Sequence, residues 1–175
     1  MLRIYYADVS GLDPAGDYAL SEYRRARLES VRPDASRRCG IGAELLLNRA
    51  ITDWWSDFPL PLDIVTLELG KPALRGGEVY IELSHSGAYA AAAVCDEDFG
   101  LDIQRSMPPN IALARRFFAA DEQEYIARAA DAGLAFTEIW CRKESYIKAL
   151  VTGLATPLPS FSVMDMPGIW HCALD

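Results

Sequence analysis

The sequence predicts an α+β fold of two similar lobes. Its 175 residues are enough for one sizeable core or for two small lobes with a shared interface. Apolar residues make up 51% of the chain and charged residues 24%, as in ordinary globular proteins. A plan of strand, helices and strands occurs twice, before and after roughly Cys95. We therefore expect an N-terminal lobe over residues 1–95 and a C-terminal lobe over residues 96–175, packed intimately as one unit.

The first half of the chain begins with a strand rich in Ile and Tyr, which favour β-structure. Two helices follow, separated by Pro33, because proline cannot continue a helix from its interior. Alternating apolar and polar residues then predict three strands. The expected elements are strand Leu2–Val9, helix Tyr18–Ser30, helix Ala35–Trp55, strand Ile64–Leu69, strand Glu78–Leu83 and strand Tyr89–Val94.

The second half is predicted to repeat this plan with more helix. A strand is expected to end in the sequence Gly100-Leu101-Asp102-Ile103-Gln104, and Pro108 and Pro109 then introduce a helical region. The remaining elements are helix Asn110–Phe118, helix Asp121–Ala130, helix Phe136–Leu154, strand Phe161–Met164 and strand Ile169–Ala173. A site shared between the lobes would bring Ser84, His85, Asp102 and Glu144 within reach of one another.

The helix Phe136–Leu154 is predicted from apolar residues at helical spacing. Lys143 projects into its apolar sector, and Glu144 and Lys148 lie on the shoulder of that sector. Because an unpaired charge is costly to bury, these groups need partners or a function. The simpler interpretation is an i,i+4 pair of Glu144 and Lys148 with snorkelling stems. The scarcity of lysine argues for a function, since the chain has only three lysines beside fourteen arginines.

Composition also excludes several classes of protein. A net charge of −8 argues against a nucleic-acid binder, which usually carries a basic surface. No apolar run approaches the ~20 residues that span a bilayer, and the N-terminus reads as a strand and not as a signal peptide. The four cysteines have no CxxC spacing, which favours reduced thiols. We expect a cytoplasmic monomer that binds neither nucleic acid nor membrane.

Basic residues are concentrated in one short part of this acidic chain. Six of the seventeen fall between Arg24 and Arg38. Such a cluster suits a compact polyanion, for example a multiply phosphorylated cofactor. A solvated helix face explains it equally well, and both interpretations stay open.

Three motifs now stand in order along the chain. They are Ser84-His85-Ser86-Gly87, Gly100-Leu101-Asp102-Ile103-Gln104 and Trp140-Cys-Arg-Lys-Glu-Ser-Tyr-Ile-Lys148. In this order and spacing they resemble the 4′-phosphopantetheinyl transferase superfamily, in its larger pseudo-dimeric class, the type that activates surfactin synthetase and related enzymes. The resemblance extends from Gly70-Lys71-Pro72 to about Val163 and is fainter before residue 64. It implies two lobes related by a pseudo-twofold axis, with the active site at their interface.

The resemblance implies an activity and a set of residues. Such enzymes transfer 4′-phosphopantetheine from coenzyme A to a serine of an apo acyl or peptidyl carrier protein, with Mg²⁺, and release adenosine 3′,5′-bisphosphate. Asp102 and Glu144 match the metal ligands, which are hard oxygen donors of the kind that Mg²⁺ prefers. Glu144 also matches the residue that takes the proton of the carrier serine. Lys148 matches a group that neutralises charge on the transferred phosphate.

Further residues are implied as contacts of coenzyme A. Ser84 and His85 match residues that contact its 3′-phosphate or nearby phosphates, and Lys71 matches another contact. From the arginine cluster we expect Arg32 and Arg38 to bind phosphate.

One departure from the family concerns the metal. Many members carry a glutamate two residues after the aspartate as a third ligand, where this chain has Gln104. A carboxamide oxygen can bind Mg²⁺ or a metal-bound water, but it brings no negative charge. The chain also ends soon after Val163, which predicts few C-terminal strands.

Two other functions compete with the transferase. A serine hydrolase that pairs Ser84 or Ser86 with His85 is disfavoured, because adjacent residues in a strand point to opposite sides and the chain has no GxSxG. A catalytically silent module that binds coenzyme A or a carrier protein is the better alternative, since Gln104 is consistent with weakened metal binding. The joint presence of Asp102, Glu144 and Lys148 argues against that alternative.

Overall fold

The structure is a computed structural model that describes residues 1–67, 70–77, 79–150 and 156–166. It is a mixed α+β fold, as the sequence predicts. The elements in chain order are β1 Leu2–Asp8, α1 Glu22–Glu29, α2 Asp34–Trp54, β2 Ile64–Thr66, β3 Pro72–Leu74, β4 Tyr80–Ser86, β5 Tyr89–Cys95, α3 Ile111–Phe117, α4 Ala120–Arg128, α5 Ala132–Ala149 and a 3-10 turn Leu158–Ser160.

Strands β1, β5 and β4 form an antiparallel sheet in that order, with β5 in the centre. Strand β5 is buried from Ala90 to Cys95, and four of its side chains are alanine methyl groups. Small side chains on a central strand let the long helix α2 lie close to one face of the sheet. That packing creates the larger hydrophobic core, in which Leu47 and Ile51 of α2 contact Ile81 and Val94 of the sheet. Strands β2 and β3 form a separate two-stranded hairpin.

The two faces of β4 have different chemistry, because successive side chains of a strand alternate between faces. Leu83 and His85 belong to the face that packs against α2. Glu82, Ser84 and Ser86 belong to the opposite face. The turn after β4 depends on Gly87, whose φ of +61° lies in the left-handed region that favours glycine.

Helices α3, α4 and α5 enclose a second core around Phe118, Phe136 and Ile139. Helix α5 begins after Asp131, whose side chain accepts a hydrogen bond from the Leu134 amide at 2.9 Å. It ends at Ala149, and residues 151–155, where the sequence places its end, lie outside the described residues. Lys143 is fully buried, as its position in the apolar sector predicts.

The strand predicted to end at Gly100–Gln104 is not formed. Residues 98–110 contain neither helix nor strand. The amides of Ile103 and Arg105 donate to the hydroxyls of Ser84 and Ser86, at 3.2 and 3.0 Å, and not to backbone carbonyls. These side-chain acceptors satisfy the amides, so no strand ladder is needed on that edge.

The strand predicted at Phe161–Met164 is also absent, for a related reason. The Phe161 carbonyl accepts from Lys143 Nζ at 2.7 Å, and the Val163 amide donates to the Glu122 carboxylate at 2.8 Å. Buried side chains therefore hold this segment in place of a neighbouring strand. The predicted strand Ile169–Ala173 lies outside the described residues, and the described residues after Cys95 contain no strand. A pseudo-twofold pair of lobes thus stays an expectation.

Two further observations concern the chain as a whole. Within the described residues, none of the helices combines the length and the apolar character needed to cross a bilayer. Cys39, Cys95 and Cys141 carry free thiols, as expected from their spacing, and Cys172 lies outside the described residues.

Candidate functional site

A cavity of about 400 Å³ lies where α1, β4 and α5 meet. This size falls within the usual range of small-molecule sites. Five basic side chains line it, together with the two carboxyl groups of Glu82 and Glu144. The basic residues are Arg24, Arg27, Lys71, His85 and Lys148. Such walls favour a ligand with several negative charges.

Asp102 is held by Ser84 and by Lys148, of which Lys148 lines this cavity. The Ser84 hydroxyl donates to Asp102 Oδ1 at 2.8 Å, and Lys148 Nζ donates to the same oxygen at 2.7 Å. Lys148 also donates to the Leu101 carbonyl at 2.9 Å. The structure therefore brings together three residues that the motifs single out. Lys148 pairs with Asp102 and not in an i,i+4 pair with Glu144, which removes the simpler interpretation of this helix face.

A glycine allows the Asp102 segment to approach α5. A Cβ atom at Gly100 would overlap the carbonyl oxygen of Ser145 on that helix. Only glycine avoids this overlap without a shift of the backbone. Helix α5 also contacts this segment through Cys141, whose thiol donates to the Asp102 carbonyl at 3.2 Å. Burial raises the pKa of that thiol to about 12. Cys141 is therefore a neutral contact and not a thiolate nucleophile.

Glu144 projects into the cavity from α5. Partial burial raises the pKa of its carboxyl above the ordinary value, and the negative charge of Asp102 raises it further, while Lys148 opposes both. Two carboxyl groups that repel one another in this way form a place where a cation is favoured. Their position follows from helical geometry, because Glu144 and Lys148 are one turn apart on α5.

Lys71, which also lines the cavity, contacts several groups. Its Nζ atom donates to Asp98 Oδ1 at 2.7 Å and to the carbonyls of Phe99 and Lys148, at 3.2 and 3.3 Å. It also lies 3.2 Å from Glu82 Oε1. The ammonium group thus joins three parts of the chain at the cavity wall. Sequence reasoning found Lys71 but missed Glu82 and Asp98.

The arginines that line the cavity are Arg24 and Arg27 of α1. Arg24 is 9% exposed, and its Nε atom lies 3.4 Å from the fully buried Glu44 carboxylate. Glu44 also accepts from the Ser21 hydroxyl at 2.9 Å, and Ser21 is the N-cap of α1. Helix α2 therefore fixes both the start of α1 and the direction of Arg24.

The two arginines chosen from the sequence are placed elsewhere. Arg38 donates through Nε to the Leu12 carbonyl at 2.8 Å, and Arg32 is exposed on the loop before α2. Neither lines the cavity. Their role as phosphate ligands stays a prediction that the cavity does not support. Arg24 and Arg27 could have been selected by spacing, because residues three apart share a helix face.

His85 lines the cavity from the sheet face opposite Ser84. Desolvation lowers the pKa of its imidazole, and the positive charges of Arg24 and Lys148 lower it further. The hydroxyls of Ser84 and Ser86 instead hold Asp102 and Gln104. No hydrogen bond joins either serine to His85 in the described part of the chain, so a serine–histidine nucleophile is not assembled.

The donor set for a metal is small. The described residues contain no group of three or more His, Cys, Asp and Glu that could hold a metal ion. Asp102 and Glu144 supply hard oxygen donors in a shared anionic field, which fits Mg²⁺ when a ligand provides further oxygens. The Gln104 side-chain oxygen accepts a hydrogen bond from the Ser86 hydroxyl, so it is already engaged.

Comparison with known proteins gives a consistent result. Residues 98–169 match a family model described as the 4′-phosphopantetheinyl transferase superfamily. The chain is 33% identical over 145 residues to 4′-phosphopantetheinyl transferase psf-1 of Bacillus pumilus, covering 79% of this chain and 61% of that protein. It is 36% identical over 101 residues to 4′-phosphopantetheinyl transferase Sfp of Bacillus subtilis (strain 168), covering 56% and 45%.

A more distant relative comes from an animal. The L-aminoadipate-semialdehyde dehydrogenase-phosphopantetheinyl transferase of Xenopus laevis is 27% identical over 155 residues, covering 71% of this chain and 50% of that protein. The matches to the three relatives thus span 45–61% of their lengths.

Proposed function

We propose that the chain is a member of the 4′-phosphopantetheinyl transferase superfamily and that it transfers 4′-phosphopantetheine from coenzyme A to a carrier protein. The acceptor is a serine of an apo acyl or peptidyl carrier protein, and the second product is adenosine 3′,5′-bisphosphate. The observation that carries the proposal is the placement of Asp102, Glu144 and Lys148 beside a cavity lined by five basic groups.

The basic lining supports a polyphosphorylated substrate. The five basic residues that line the cavity are Arg24, Arg27, Lys71, His85 and Lys148. Coenzyme A carries a pyrophosphate and a 3′-phosphate, so its charges complement such a wall. We assign Arg24 and Arg27 to its phosphates in place of Arg32 and Arg38. His85 stays a proposed contact of the 3′-phosphate. The hydroxyl of Ser84 stays a proposed contact of the same phosphate or of a nearby one.

The transfer needs a base and a stabiliser of negative charge. The carrier serine oxygen forms a new bond to the phosphorus next to the pantetheine, and the bond to adenosine 3′,5′-bisphosphate breaks. Glu144 accepts the serine proton, directly or through a water molecule. A carboxyl whose pKa is raised by burial is a stronger base for this purpose. Lys148, which can leave Asp102 when phosphate arrives, neutralises the charge that develops on the transferred group.

We propose Mg²⁺ as the cofactor, held by Asp102 and Glu144 together with oxygens of the pyrophosphate. When bound, the ion supplies positive charge that polarises the phosphoryl oxygens. Ser84 orients Asp102 by its hydrogen bond, and Gly100 permits the Asp102 segment to lie against α5. Gln104 is proposed as a neutral third ligand or as a contact of metal-bound water.

The wider arrangement is part of the same proposal. Residues 1–95 and 96–175 would form two lobes related by a pseudo-twofold axis, and the cavity, lined from both halves of the chain, would lie at their interface. We propose a monomer in the cytoplasm that binds neither nucleic acid nor membrane. The second candidate function is a silent module that binds coenzyme A or a carrier protein. It is favoured by one observation, the neutral Gln104 at a ligand position.

Intact mass measurement of apo-carrier proteins tests the activity. After incubation with coenzyme A, Mg²⁺ and this protein, a suitable carrier should gain the mass of one phosphopantetheine. A chelator should abolish the gain, and a carrier whose acceptor serine is replaced by alanine should gain nothing. If a broad panel of carriers stays unmodified while coenzyme A still binds, the silent-module function is correct instead.

A further inference from the structure

Glu82 is a buried carboxyl of β4 that the transfer reaction does not use. It is 4% exposed and lines the cavity. Across the sheet it lies opposite Ala93, whose methyl group offers no hydrogen-bond donor. Its Oε1 atom lies 3.2 Å from Lys71 Nζ but has no hydrogen-bond partner among the described residues. A buried carboxyl without an aligned donor is unusual, because native structures satisfy most buried polar atoms.

The surrounding charges leave Glu82 only partly compensated. Lys71 is shared with Asp98 and with two carbonyls, and Lys148 is paired with Asp102. Burial raises the pKa of Glu82 to about 7, the positive charges of Lys71 and Lys148 oppose this, and the negative charge of Asp98 adds to it. The other titratable or charged groups that line this cavity are Arg24, Arg27, His85 and Glu144.

We propose that Glu82 is a proton-linked determinant of ligand affinity, which takes up a proton from solvent when a polyphosphate ligand enters the cavity. The inference rests on the proposed function, since the ligand in question is coenzyme A. Phosphate groups beside Glu82 would add negative charge in a poorly solvated place, where the neutral form of a carboxyl is favoured. Protonation of Glu82 also releases one of the two carboxylates that contact Lys71, so the ammonium becomes free to contact phosphate.

The sign of the pH dependence follows by linkage. When the complex holds one more proton than the free protein, affinity falls as the pH rises. Between the pKa of the carboxyl in the free protein and its higher pKa in the complex, the dissociation constant increases by up to about tenfold per pH unit. In Glu82→Gln this contribution disappears. The variant should then bind more tightly at alkaline pH, because the competing negative charge is absent.

Calorimetry in two buffers of different ionisation enthalpy measures the protons taken up on binding. The probe is 3′-dephospho-coenzyme A, because its pyrophosphate does not titrate between about pH 6 and pH 8. Mg²⁺ is left out, so that protons of Glu144 are not displaced by metal. We expect wild type to take up more protons than Glu82→Gln at about pH 7.5. Contributions from His85 and other shared groups cancel in this difference.

The carboxamide variant has nearly the same shape, and a thermal melt verifies that it folds. Asp98→Asn is a second test on a more exposed side chain. It removes a negative charge near Glu82 and should move the proton uptake of the wild-type carboxyl to lower pH.

The outcomes are distinct. Equal proton uptake by wild type and Glu82→Gln, with both binding the probe, would overturn the inference and leave the proposed function intact. If proton uptake by Asp98→Asn occurred over the same pH range as in wild type, that result would also contradict the inference. Failure of the wild-type protein to bind coenzyme A itself would overturn the proposed function, and the inference with it.

Discussion

Two buried lysine–glutamate pairs in this molecule differ in how completely their atoms are satisfied. Lys143 and Glu122 are both 0% exposed and lie 2.9 Å apart in the core between α4 and α5. The ammonium also donates to the carbonyls of Leu158 and Phe161, at 2.8 and 2.7 Å. The carboxylate accepts from two backbone amides besides. Lys71 and Glu82, in contrast, line a cavity, and the carboxyl has an oxygen without a hydrogen bond.

The difference separates a structural charge pair from one for which we propose a function. Desolvating two charges is costly, and only a complete set of hydrogen bonds compensates for it. The Lys143–Glu122 pair has that set, so it anchors residues 158–163 to α4 and α5. The Lys71–Glu82 pair lacks such a set, because Glu82 Oε1 accepts no hydrogen bond from the described part of the chain. Both residues line the cavity in which we propose that the ligand binds. The variants below test this separation between core and cavity.

The largest effect on stability is expected in the core. Lys143→Met leaves the Glu122 carboxyl buried without its cation, so the free energy of unfolding should fall by about 3–5 kcal/mol. Urea denaturation followed by circular dichroism measures it. The double variant Lys143→Met, Glu122→Gln should lose less than the sum of the single variants, because no lone charge remains. A loss below about 1 kcal/mol in Lys143→Met would mean that the pair is not structural.

The adjacent residue on α5 should behave in the opposite way. Glu144→Gln should lower kcat by about 10²-fold or more, the usual scale for loss of a general base, while the free energy of unfolding changes little. Lys148→Ala should also lower kcat. Ser145→Ala is the matched control on the same helix and should retain near-normal turnover. Near-normal turnover in Glu144→Gln would exclude this carboxyl as the base.

Within the arginine cluster, only the cavity residues should matter for binding. Arg27→Gln, which leaves the buried Arg24–Glu44 pair intact, should weaken the binding of coenzyme A by roughly tenfold or more, since a hydrogen bond from a charged donor contributes about 1.5–3 kcal/mol. Arg32→Gln and Arg38→Gln are the controls and should bind nearly as wild type does. Titration calorimetry decides between them. A greater loss in Arg32→Gln would restore the assignment made from the sequence.

The smallest effect is expected at Gln104. Gln104→Glu adds a negative charge to the proposed metal site and should lower the Mg²⁺ concentration needed for half-maximal activity several-fold, because hard-cation affinity depends on ligand charge. Gln104→Ala should raise it only modestly, since water replaces a neutral ligand. For the wild-type protein we expect half-maximal activity at a Mg²⁺ concentration on the order of 10⁻³ M. Superimposable activity curves for the three proteins would mean that Gln104 does not face the metal.

The sequence predicts local features of this protein better than distant ones. Helical spacing in α5 correctly places Lys143 in the core. It also predicts Glu144 and Lys148 one turn apart beside the apolar sector, and the structure shows that both line the cavity. The partner of Lys143 could not be predicted, because Glu122 lies on another helix and only packing brings the two together. The same holds for Lys148, whose partner Asp102 is 46 residues away in the chain.

The errors have a common physical origin as well. Strands were predicted at Gly100–Gln104 and at Phe161–Met164, where the apolar patterns suit a sheet. In both segments side chains satisfy the backbone groups instead, through Ser84 and Ser86 in one and through Glu122 and Lys143 in the other. Hydrogen bonds from side chains leave no periodic signal in a sequence. The phosphate-binding role predicted for Arg32 and Arg38 stays a prediction, but the arginines that line the cavity are Arg24 and Arg27, which helical register alone would have placed on one face.

The attachment of the Asp102 segment has a consequence for local unfolding. Among the described residues, the sheet holds this segment through the hydroxyls of Ser84 and Ser86 and not through a backbone ladder. Such a segment can open without separating β4 from β5, so its opening free energy is expected to lie well below that of global unfolding. Amide hydrogens of Ile103 and Arg105 should then exchange with solvent much faster than those of β5. The carboxylate proposed to hold the metal would thereby gain local freedom that the rest of the sheet does not share.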